Sequence, residues 1–241
     1  MSLHDMHPQD ETSPLPPLDV DGLIADIETQ GFARISGFIP LDELGRAQGA
    51  VRGAVQANGG ESVMLIGDEQ TSAVLPMMDR VTEVTRLICE RVETRHADLE
   101  TTYKIVRCLS GGSVAQHSMV FHFDSFVLTA LVPVIMPVRG SPGDLVIAPN
   151  TRPLRNSYMR NLLDKLIVDN PLTQRILRRM HAGGSARFTR LHLAPGDLYL
   201  FWGYRTLHTN EPVDGGEVRC TALVHRGRMH PDSALWRALH R

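Results

Sequence analysis

Short runs of β-branched and aromatic residues, separated by glycine and proline, dominate the chain from Thr101 onward. We predict eight strands, at residues 102–109, 120–126, 128–137, 144–148, 188–193, 197–202, 206–209 and 217–224. Turn-forming residues lie between several of them, at 111–112, 140–143, 195–196 and 214–216. This pattern is typical of sandwiches and barrels. It predicts a mainly β fold with flanking helices and a double-stranded β-helix core, the jelly-roll or cupin architecture.

The first hundred residues have a mostly helical pattern. Asp19 or Asp21 is placed to cap a helix that runs to about Gln30, and Gly31 is expected to end it. The later elements are predicted as a strand at 32–38, a helix after residue 40, a strand at 63–66 and a helix at 78–96. We expect these helices to cover one outer face of the sheet.

Three glycines recur at four-residue spacing in the second predicted helix. Gly45, Gly49 and Gly53 would lie on one helix face, although each weakens the helix by up to about 1 kcal/mol relative to alanine. Such a stripe predicts that this face packs closely against another element.

Composition divides the chain into an arm and one domain. Residues 1–18 contain several prolines and few apolar side chains, which predicts a flexible arm. The remaining residues, 19–241, are enough for one domain with a substantial core. We expect a helical layer at 19–100 and the β core at 101–226.

The strand pattern is interrupted at residues 151–186, where two helices are predicted at 154–168 and 171–180. Insertions between strands often form lids over a barrel mouth. The insertion is rich in cationic side chains, namely Arg152, Arg155, Arg160, Lys165, Arg175, Arg178 and Arg179. A solvated helix face, an anionic substrate site and a subunit interface are three interpretations of this charge.

Charge and cysteine content exclude several classes of protein. The net charge is −2 with histidine neutral, so no nucleic-acid-binding surface is expected. Cys89, Cys108 and Cys220 are scattered in apolar runs, which predicts buried thiols and neither a disulfide framework nor a cysteine zinc site. No apolar run is long enough to span a membrane, and the N-terminus lacks the apolar region of a signal peptide. We therefore expect a cytoplasmic protein that does not act on membranes.

A candidate metal site lies in the strand predicted at 120–126. His122 and Asp124 are two residues apart, so they share one face of an extended strand with Cα atoms about 6.5 Å apart. One imidazole and one carboxylate can then bind a single metal ion. Phe121 and Phe123 would point to the other face, into packing. A hydrogen-bonded histidine and a solvated aspartate are the competing interpretation of so short a motif.

A second stretch supplies the remaining groups of the site. His208 would be the third ligand, because two histidines and one carboxylate form the facial triad of non-haem Fe(II) oxygenases. Arg219 follows His208 by eleven residues, and Thr221 lies two further on, facing the same way. A guanidinium holds a carboxylate by two parallel hydrogen bonds, and a hydroxyl adds a third donor. A dicarboxylate cosubstrate would thus be anchored at its far end.

The pattern His122, Asp124, His208, Arg219 and Thr221 resembles the HxD…H…RxS/T motif of the Fe(II)- and 2-oxoglutarate-dependent dioxygenases, with threonine where serine is commoner. The chain looks most similar to the branch that includes phytanoyl-CoA hydroxylases, because the segment at 31–38 is followed by a predicted helix. The similarity spans about residues 31–224. It implies the same jelly-roll fold.

The resemblance also implies an activity. His122, Asp124 and His208 would hold Fe(II), and Arg219 and Thr221 would bind the distal carboxylate of 2-oxoglutarate. The family consumes O₂ and 2-oxoglutarate, releases succinate and CO₂, and oxidises an unactivated C–H bond. Related halogenases lack the carboxylate ligand, so its presence here favours hydroxylation or desaturation over halogenation.

The substrate is predicted only in outline. The basic insertion suggests a small molecule with an anionic group, or a substrate attached to a carrier protein, and the sequence does not fix the oligomeric state. Candidate substrate contacts, each with a structural or exposed role as the alternative, are His117, Asn150, Arg152 and Arg205. Arg107 is expected either inside the barrel or paired outside it. Structural or exposed roles are expected for His181, His192, His225, His230 and His240.

Two rival functions use the same fold. A cupin-type isomerase or metal-binding module would use the barrel and its histidines, but it would need neither Arg219 nor Thr221. An inactive regulatory or scaffold protein would be expected to lose a metal ligand, yet all three are present. Fold alone does not establish activity.

Overall fold

The computed structural model describes residues 15–66, 73–92, 94, 97–110, 118–155, 157–213, 217–231 and 233. Within these residues the helices are α1 (Val20–Gln30), α2 (Leu41–Ala57), α3 (Leu75–Glu90), α4 (Tyr158–Asp169) and α5 (Pro171–Ala182). The strands of the same residues are β1 (Ala33–Ile35), β2 (Val63–Ile66), β3 (Ala97–Leu109), β4 (Phe126–Ile135), β5 (Leu145–Ala148), β6 (Thr189–Leu191), β7 (Leu198–Phe201), β8 (Leu207–Asn210) and β9 (Arg219–Met229). None of these described helices has the length and apolar content needed to cross a membrane.

The strands form two antiparallel sheets. The larger sheet has the order β1-β7-β4-β9-β3-β2, and the smaller has the order β6-β5-β8. Leu131, Tyr199 and Phe201 of the larger sheet share a buried cluster with Leu145 and Ile147 of the smaller one. This sandwich with flanking helices confirms the predicted mainly β, jelly-roll core.

Helices α1, α2 and α3 cover the outer face of the larger sheet. Val81, Val84 and Ile88 recur at helical spacing along α3, and they are buried in one core cluster with Val106 and Ala222 of the sheet. The helix begins three residues before its predicted start and ends at Glu90. The helical layer thus supports the sheet from the side opposite the smaller sheet.

The predicted caps of α1 are confirmed. The Asp19 carboxylate accepts a hydrogen bond from the Gly22 N–H at 2.9 Å. Gly31 ends the helix with φ +89°, where a Cβ would lie 2.2 Å from the Pro149 Cβ. Residues 1–14 of the predicted arm lie outside the described part of the chain, and Leu15 and Leu18 pack against the main core.

Residues 120–125 do not form the regular strand that the sequence predicts. Their pairing with β8 is reduced to one antiparallel bridge between His122 and His208. On the other side, the buried side chain of Gln174 in α5 accepts from the Phe121 N–H at 3.0 Å and donates to the Phe121 carbonyl at 2.7 Å. A side chain of the insertion therefore satisfies the backbone groups that a neighbouring strand would pair.

The prediction of three separate thiols is wrong for two cysteines. Cys108 and Cys220 are opposite residues of β3 and β9, with Cα atoms 4.0 Å apart, and they form a disulfide. Their separation of 112 residues gives no signal in the sequence, because strand register alone brings them together. Cys89 is a buried free thiol, and burial raises its pKa to about 12.

The glycine stripe of α2 does not pack closely, so that expectation is wrong. A Cβ placed on Gly45, Gly49 or Gly53 would meet no atom within 4 Å. The apolar positions of α2 that face the core are Leu44, Ala47, Val51 and Val55. The glycines therefore lie on the solvent side of the helix.

Replacing Gly49 by alanine is expected to raise the free energy of unfolding by about 0.5–1 kcal/mol, because alanine loses less backbone entropy in a helix. Urea denaturation followed by circular dichroism measures the change. Gly31→Ala is the matched control, since its positive φ and the contact with Pro149 should make it destabilising. Equal effects of the two substitutions would contradict this interpretation.

Candidate metal centre

His122, Asp124 and His208 form a group of three potential metal ligands. Their ligand atoms all lie within 4.8 Å of one another. The Asp124 Oδ1 atom is 3.8 Å from His122 Nε2 and 3.6 Å from His208 Nε2. The structure thus brings together the three residues that the sequence predicts as a triad.

Backbone pairing fixes the relative position of these ligands. His122 donates its N–H to the His208 carbonyl at 3.0 Å, and His208 donates to the His122 carbonyl at 3.1 Å. Their rings consequently lie 4.3 Å apart. The Asp124 N–H is bound by the Gly203 carbonyl at 3.0 Å, so the turn before β8 holds the third ligand.

The tautomer of both histidines suits a metal. Nδ1 of His122 lies 3.0 Å from the Val120 carbonyl, and Nδ1 of His208 lies 3.0 Å from the Thr206 carbonyl. A carbonyl oxygen can only accept, so Nδ1 must carry the hydrogen in each ring. The Nε2 lone pairs are then left for coordination, an arrangement common among histidine ligands.

The Oδ2 oxygen of Asp124 contacts side chains of the larger sheet. Thr129 on β4 donates its hydroxyl to Oδ2 of Asp124, and the same hydroxyl oxygen lies 3.0 Å from Nδ1 of His225. His225 Nδ1 lies 3.6 Å from the Oδ2 atom of Asp124. The carboxylate is therefore oriented with Oδ1 toward the two histidine ligands and Oδ2 toward the protein.

Gly203 is required by this close packing. A Cβ at this position would lie 2.3 Å from Thr129 Oγ1 and 2.6 Å from Asp124 Oδ2. Any larger residue would displace the carboxylate or the hydroxyl that orients it. Gly203, between Trp202 and Tyr204, thus contributes to the site twice, because its carbonyl binds the Asp124 N–H and its missing side chain leaves room for the carboxylate.

The electrostatics of the site favour the protonation states that a metal ion needs. Burial lowers the pKa of His208 to about 4, which keeps the ring neutral at neutral pH. Burial alone would raise the pKa of Asp124, but His208, His225 and His122 outweigh it, and the pKa of this carboxyl lies below its ordinary value. A neutral imidazole and an ionised carboxylate are the forms that bind metals.

The group opens into a cavity of about 180 Å³ between the two sheets. Apolar walls are provided by Ile105, Leu131, Leu145, Phe201 and Leu223. Arg219 and Thr221 line the same cavity, as the sequence predicts, and both are buried. The three potential metal ligands and the Arg219 guanidinium therefore line the same cavity, which is open to solvent at His122.

A glycine turn positions Arg219. Its Nε donates to the Gly143 carbonyl at 3.0 Å, and a Cβ on Gly143 would lie 2.8 Å from the Arg219 Cδ. Burial lowers the pKa of Arg219 to about 10, with a smaller contribution from Arg107, so the guanidinium is still charged at neutral pH. No carboxylate of the described residues lies at ion-pair distance from it.

Arg107 lies inside the barrel, which decides between the two positions expected for it. It is opposite Thr221 in the β3–β9 pairing and lines the cavity. Burial lowers its pKa as well. Among the described residues, the cavity is thus lined by two guanidinium groups and one carboxylate.

His225 is a residue of the site that the sequence analysis missed, because it has no partner at ligand spacing. Its side chain is 13% exposed, and burial lowers its pKa. The alternation of side chains along β9 could have predicted its position. Arg219, Thr221, Leu223 and His225 all point to one face of the strand. A histidine six residues after the arginine therefore faces the same cavity.

Three of the predicted substrate contacts bind other elements. Arg152 is buried, with its guanidinium 3.9 Å from the Phe123 ring, and it donates to Asp164. Asn150 donates to carbonyls at the end of α1, and Arg205 pairs with Glu28. None of the three lines the cavity, because helices α1 and α4 hold them, so substrate contact stays a prediction for them. His117 lies outside the described residues.

Most of the remaining histidines have structural partners. His181 contacts Glu211 at 2.9 Å, His192 contacts Asp144 at 3.0 Å, and His230 lies 3.3 Å from the Tyr204 hydroxyl. His240 lies outside the described residues. These contacts agree with the structural roles expected for them.

No family model and no curated protein matches this chain. Its fold does match solved structures. A prolyl-4-hydroxylase from Pseudomonas putida superposes with a TM-score of 0.56 and 15% identity over 90% of this chain and 98% of the other. A prolyl hydroxylase from Trichoplax adhaerens, in complex with a hypoxia inducible factor oxygen degradation domain peptide fragment, gives 0.58 and 15% over 92% of each chain. SnoN, a non-heme alpha ketoglutarate dependent epimerase from nogalamycin biosynthesis, gives 0.53 and 15% over 90% of this chain and 85% of the other.

At 15% identity, these structural matches show a shared fold and nothing more. The fold and the three clustered ligands together define a jelly-roll protein with a candidate metal centre, built on the architecture of prolyl hydroxylases and of an alpha ketoglutarate dependent epimerase.

Replacing Thr129 by valine is expected to weaken the binding of a divalent metal ion, with Fe(II) as the probe, by about 10- to 100-fold, because Asp124 loses the donor that orients its second oxygen. Anaerobic competition with a chromogenic chelator measures the affinity. Thr129→Ser keeps the hydroxyl and should bind nearly as the wild type does. If valine and serine variants bind equally well, the hydroxyl does not orient the ligand.

Acidification is expected to destabilise the metal-free protein between about pH 6.5 and pH 4. Burial lowers the pKa of His208 from 6.5 to about 4, so in this range the unfolded chain binds a proton that the folded chain excludes. Stability is therefore complete above about pH 6.5 and falls toward pH 4, by on the order of 3 kcal/mol.

Urea unfolding at several pH values measures this loss. His208→Gln removes the titrating ring and should give a flatter dependence over the same range. A variant that loses as much stability as the wild type on acidification would show that other groups cause the effect.

Proposed function

We propose that this protein is a non-haem Fe(II)- and 2-oxoglutarate-dependent oxygenase, which hydroxylates an unactivated C–H bond of a small molecule. The observation that carries the proposal is that one cavity contains both a candidate metal site and a candidate binding site for an anion. It contains His122, Asp124 and His208 with both Nε2 atoms directed at the carboxylate, and it contains the buried cation of Arg219.

The residues present fit an iron ion. Two imidazoles and one carboxylate, all from one side, are the ligand set of non-haem Fe(II) oxygenases. The Nδ1–H groups are already bound by backbone carbonyls, and Thr129 binds the second oxygen of Asp124. Bound iron would supply O₂ activation coupled to oxidation of 2-oxoglutarate to succinate and CO₂.

Arg219 and Thr221 would hold the distal carboxylate of 2-oxoglutarate. The guanidinium is buried, is fixed through Nε by Gly143, and has no carboxylate partner among the described residues. An unpaired buried charge is unfavourable, so an incoming carboxylate gains both attraction and hydrogen bonds there. The Thr221 hydroxyl lies two residues along β9 on the same face.

The apolar walls would limit the access of water to the reacting groups on the side away from the exposed His122 ring. Leu131 and Phe201 of the larger sheet and Leu145 of the smaller sheet are buried and line the cavity. In such surroundings electrostatic interactions are stronger than in water, and side reactions with water are suppressed. The protein's own contribution is therefore orientation and enclosure.

The proposal also includes the type of oxidation and the kind of substrate. The neighbours in fold are named as prolyl hydroxylases and as an epimerase, so the shared fold does not select one outcome. The carboxylate ligand Asp124 favours hydroxylation or desaturation over halogenation, and hydroxylation is the outcome that we propose. A substrate attached to a carrier protein, membership of the phytanoyl-CoA hydroxylase-like branch and a cytoplasmic location stay predictions from sequence.

Addition of 2-oxoglutarate to anaerobic protein loaded with Fe(II) is expected to produce a weak visible charge-transfer band. Arg219→Ala should weaken 2-oxoglutarate binding at least about tenfold, because a bidentate charge-assisted contact is lost. His208→Ala should lose the band with the iron site. Spectrophotometric titration measures both effects.

Arg205→Ala serves as the matched control, since Arg205 pairs with Glu28 outside the cavity and its removal should leave the band unchanged. Thr221→Val is a milder variant with an intermediate effect expected. If iron-loaded wild type gives no band, the oxygenase proposal fails and the cupin-type metal-binding alternative takes its place.

A further inference from the structure

Helix α4 exposes a stripe of apolar side chains, although Val168 near its end is buried in an apolar cluster. Its outward-facing side chains Met159, Leu163, Leu166 and Ile167 are 53–61% exposed. A surface helix normally turns such a stripe toward the core. Here the inward face instead contains three polar side chains at helical spacing, namely Tyr158, Asn161 and Lys165. Polar groups on the inner side of a helix need hydrogen-bond partners.

The inward groups of α4 line a second cavity, of about 210 Å³. Its other walls are Ser125 and Phe126, at the start of β4, and Arg228 and Met229, at the end of β9. The volume is similar to that of the cavity at the candidate metal centre. It is large enough for a carboxylate or phosphate group with part of the molecule that carries it.

Asn161 is an unsatisfied buried amide in this cavity. It is 5% exposed, and its Oδ1 is buried without a hydrogen-bond partner. Its side chain forms no hydrogen bond with the described residues, so either orientation of the amide leaves a polar atom unpaired. Buried polar groups in native proteins nearly always have a partner, and each exception requires an explanation. An anionic oxygen can only accept, so it would bind the amide in the orientation that places the NH₂ group at the position of Oδ1.

The cavity is positively charged. Lys165 donates from Nζ to the Ser125 hydroxyl at 2.8 Å, and burial followed by the nearby Arg152 lowers its pKa. Arg228 contributes a second cation and lies 6.0 Å from the Phe126 ring centre. Asp124 and Asp169 act to raise the pKa of Lys165, and Arg228 contributes to lowering the pKa of Asp98. None of these acids is among the described residues that line the cavity.

The second cavity adjoins the candidate metal centre. Ser125 is the residue after the ligand Asp124, so the chain passes from one cavity to the other within a single peptide unit. Phe126 forms the partition, because its ring stacks on His225 at 5.5 Å and on Tyr103 at 6.2 Å. Both of these residues line the metal cavity. A molecule that passes Phe126 would reach both sites.

We propose that the cavity between α4 and the start of β4 binds an anionic oxygen group, a carboxylate or a phosphate, through Lys165, Arg228 and Asn161. The group belongs to the molecule that is oxidised or to a free anion that binds beside it. The first of these sources rests on the proposed oxygenase function, whereas the anion site does not.

Calorimetric titration with inorganic sulfate tests the site in anaerobic protein loaded with Fe(II) and 2-oxoglutarate, at constant ionic strength. Sulfate resembles phosphate and does not precipitate iron, and acetate serves as the carboxylate probe. Wild type is expected to bind one anion per chain. Lys165→Met and Asn161→Leu should each weaken binding at least about tenfold, because each removes a hydrogen-bonding group from the cavity.

Arg160→Met is the matched control. Arg160 is exposed on the same helix and carries the same charge, yet it does not line the cavity, so its loss should change sulfate binding less than about twofold. The 2-oxoglutarate charge-transfer band should persist in all three variants, which shows that they are folded. Asn161→Leu should also unfold at an equal or higher urea concentration, because an unpaired buried amide is removed.

Two results would overturn the anion site, namely no saturable binding of sulfate or acetate by wild type, or unchanged binding after Lys165→Met. If the band forms without anion binding, the oxygenase proposal stands and the anion site falls. If anions bind but no band forms, the anion site stands and the oxygenase proposal falls.

Succinate release distinguishes the two sources of the anion. A panel of carboxylic acids and their primary amides is compared in air. If the group belongs to the substrate, acids stimulate release more than their amides, and sulfate competes with them in wild type but much less in Lys165→Met. If it is a free anion, sulfate binds without competing with any member of the panel.

Discussion

The carboxylate of Asp124, which is only 11% exposed, is the constraint on which the rest of the site depends. A charge in the core is unfavourable unless hydrogen bonds and opposite charges compensate it. Here Thr129 binds one oxygen, and the other faces His122 and His208. The bridge between residues 122 and 208 and the close approach of Gly203 place these groups around one point. A metal ion bound at this point would supply a positive charge facing the Oδ1 atom.

The helical insertion is part of this construction, not an addition to it. Gln174 of α5 takes the place of a strand neighbour for Phe121, which keeps His122 and Asp124 extended without a fourth strand in the smaller sheet. Lys165 of α4 reaches Ser125, directly after the metal ligand. Movement of the insertion would therefore be transmitted to the HxD segment through these two contacts. Arg152 and Arg155 of the insertion are also engaged, with Asp164. The other arginines of the insertion, Arg160, Arg175, Arg178 and Arg179, are exposed.

Sequence periodicity predicts most of the fold, because alternation and helical spacing report local burial. The strands β3 to β9 and the caps of α1 follow from it. It fails where long-range contacts decide the outcome. The glycine stripe of α2 has no sequence feature that distinguishes close packing from solvent, and the Cys108–Cys220 pair depends on the register of two strands 112 residues apart. In the site, residue spacing predicts the ligands and Arg219. Arg152 has the same charge and a plausible position, yet Asp164 and two aromatic rings bind it elsewhere.

The groups that remain uncompensated identify where ligands belong. A sequence that specifies its fold generally satisfies buried polar groups, and exceptions concentrate at functional sites. In the metal cavity two guanidiniums, Arg107 and Arg219, accompany one carboxylate, and burial lowers the pKa of both. Replacement of either by an apolar residue would relieve that cost, so their presence indicates a role that stability does not explain. The unpaired amide of Asn161 in the neighbouring cavity is the same kind of exception. Because both lie within reach of residues 124–126, one bound molecule, or two adjacent ones, would satisfy groups that the protein alone leaves unsatisfied.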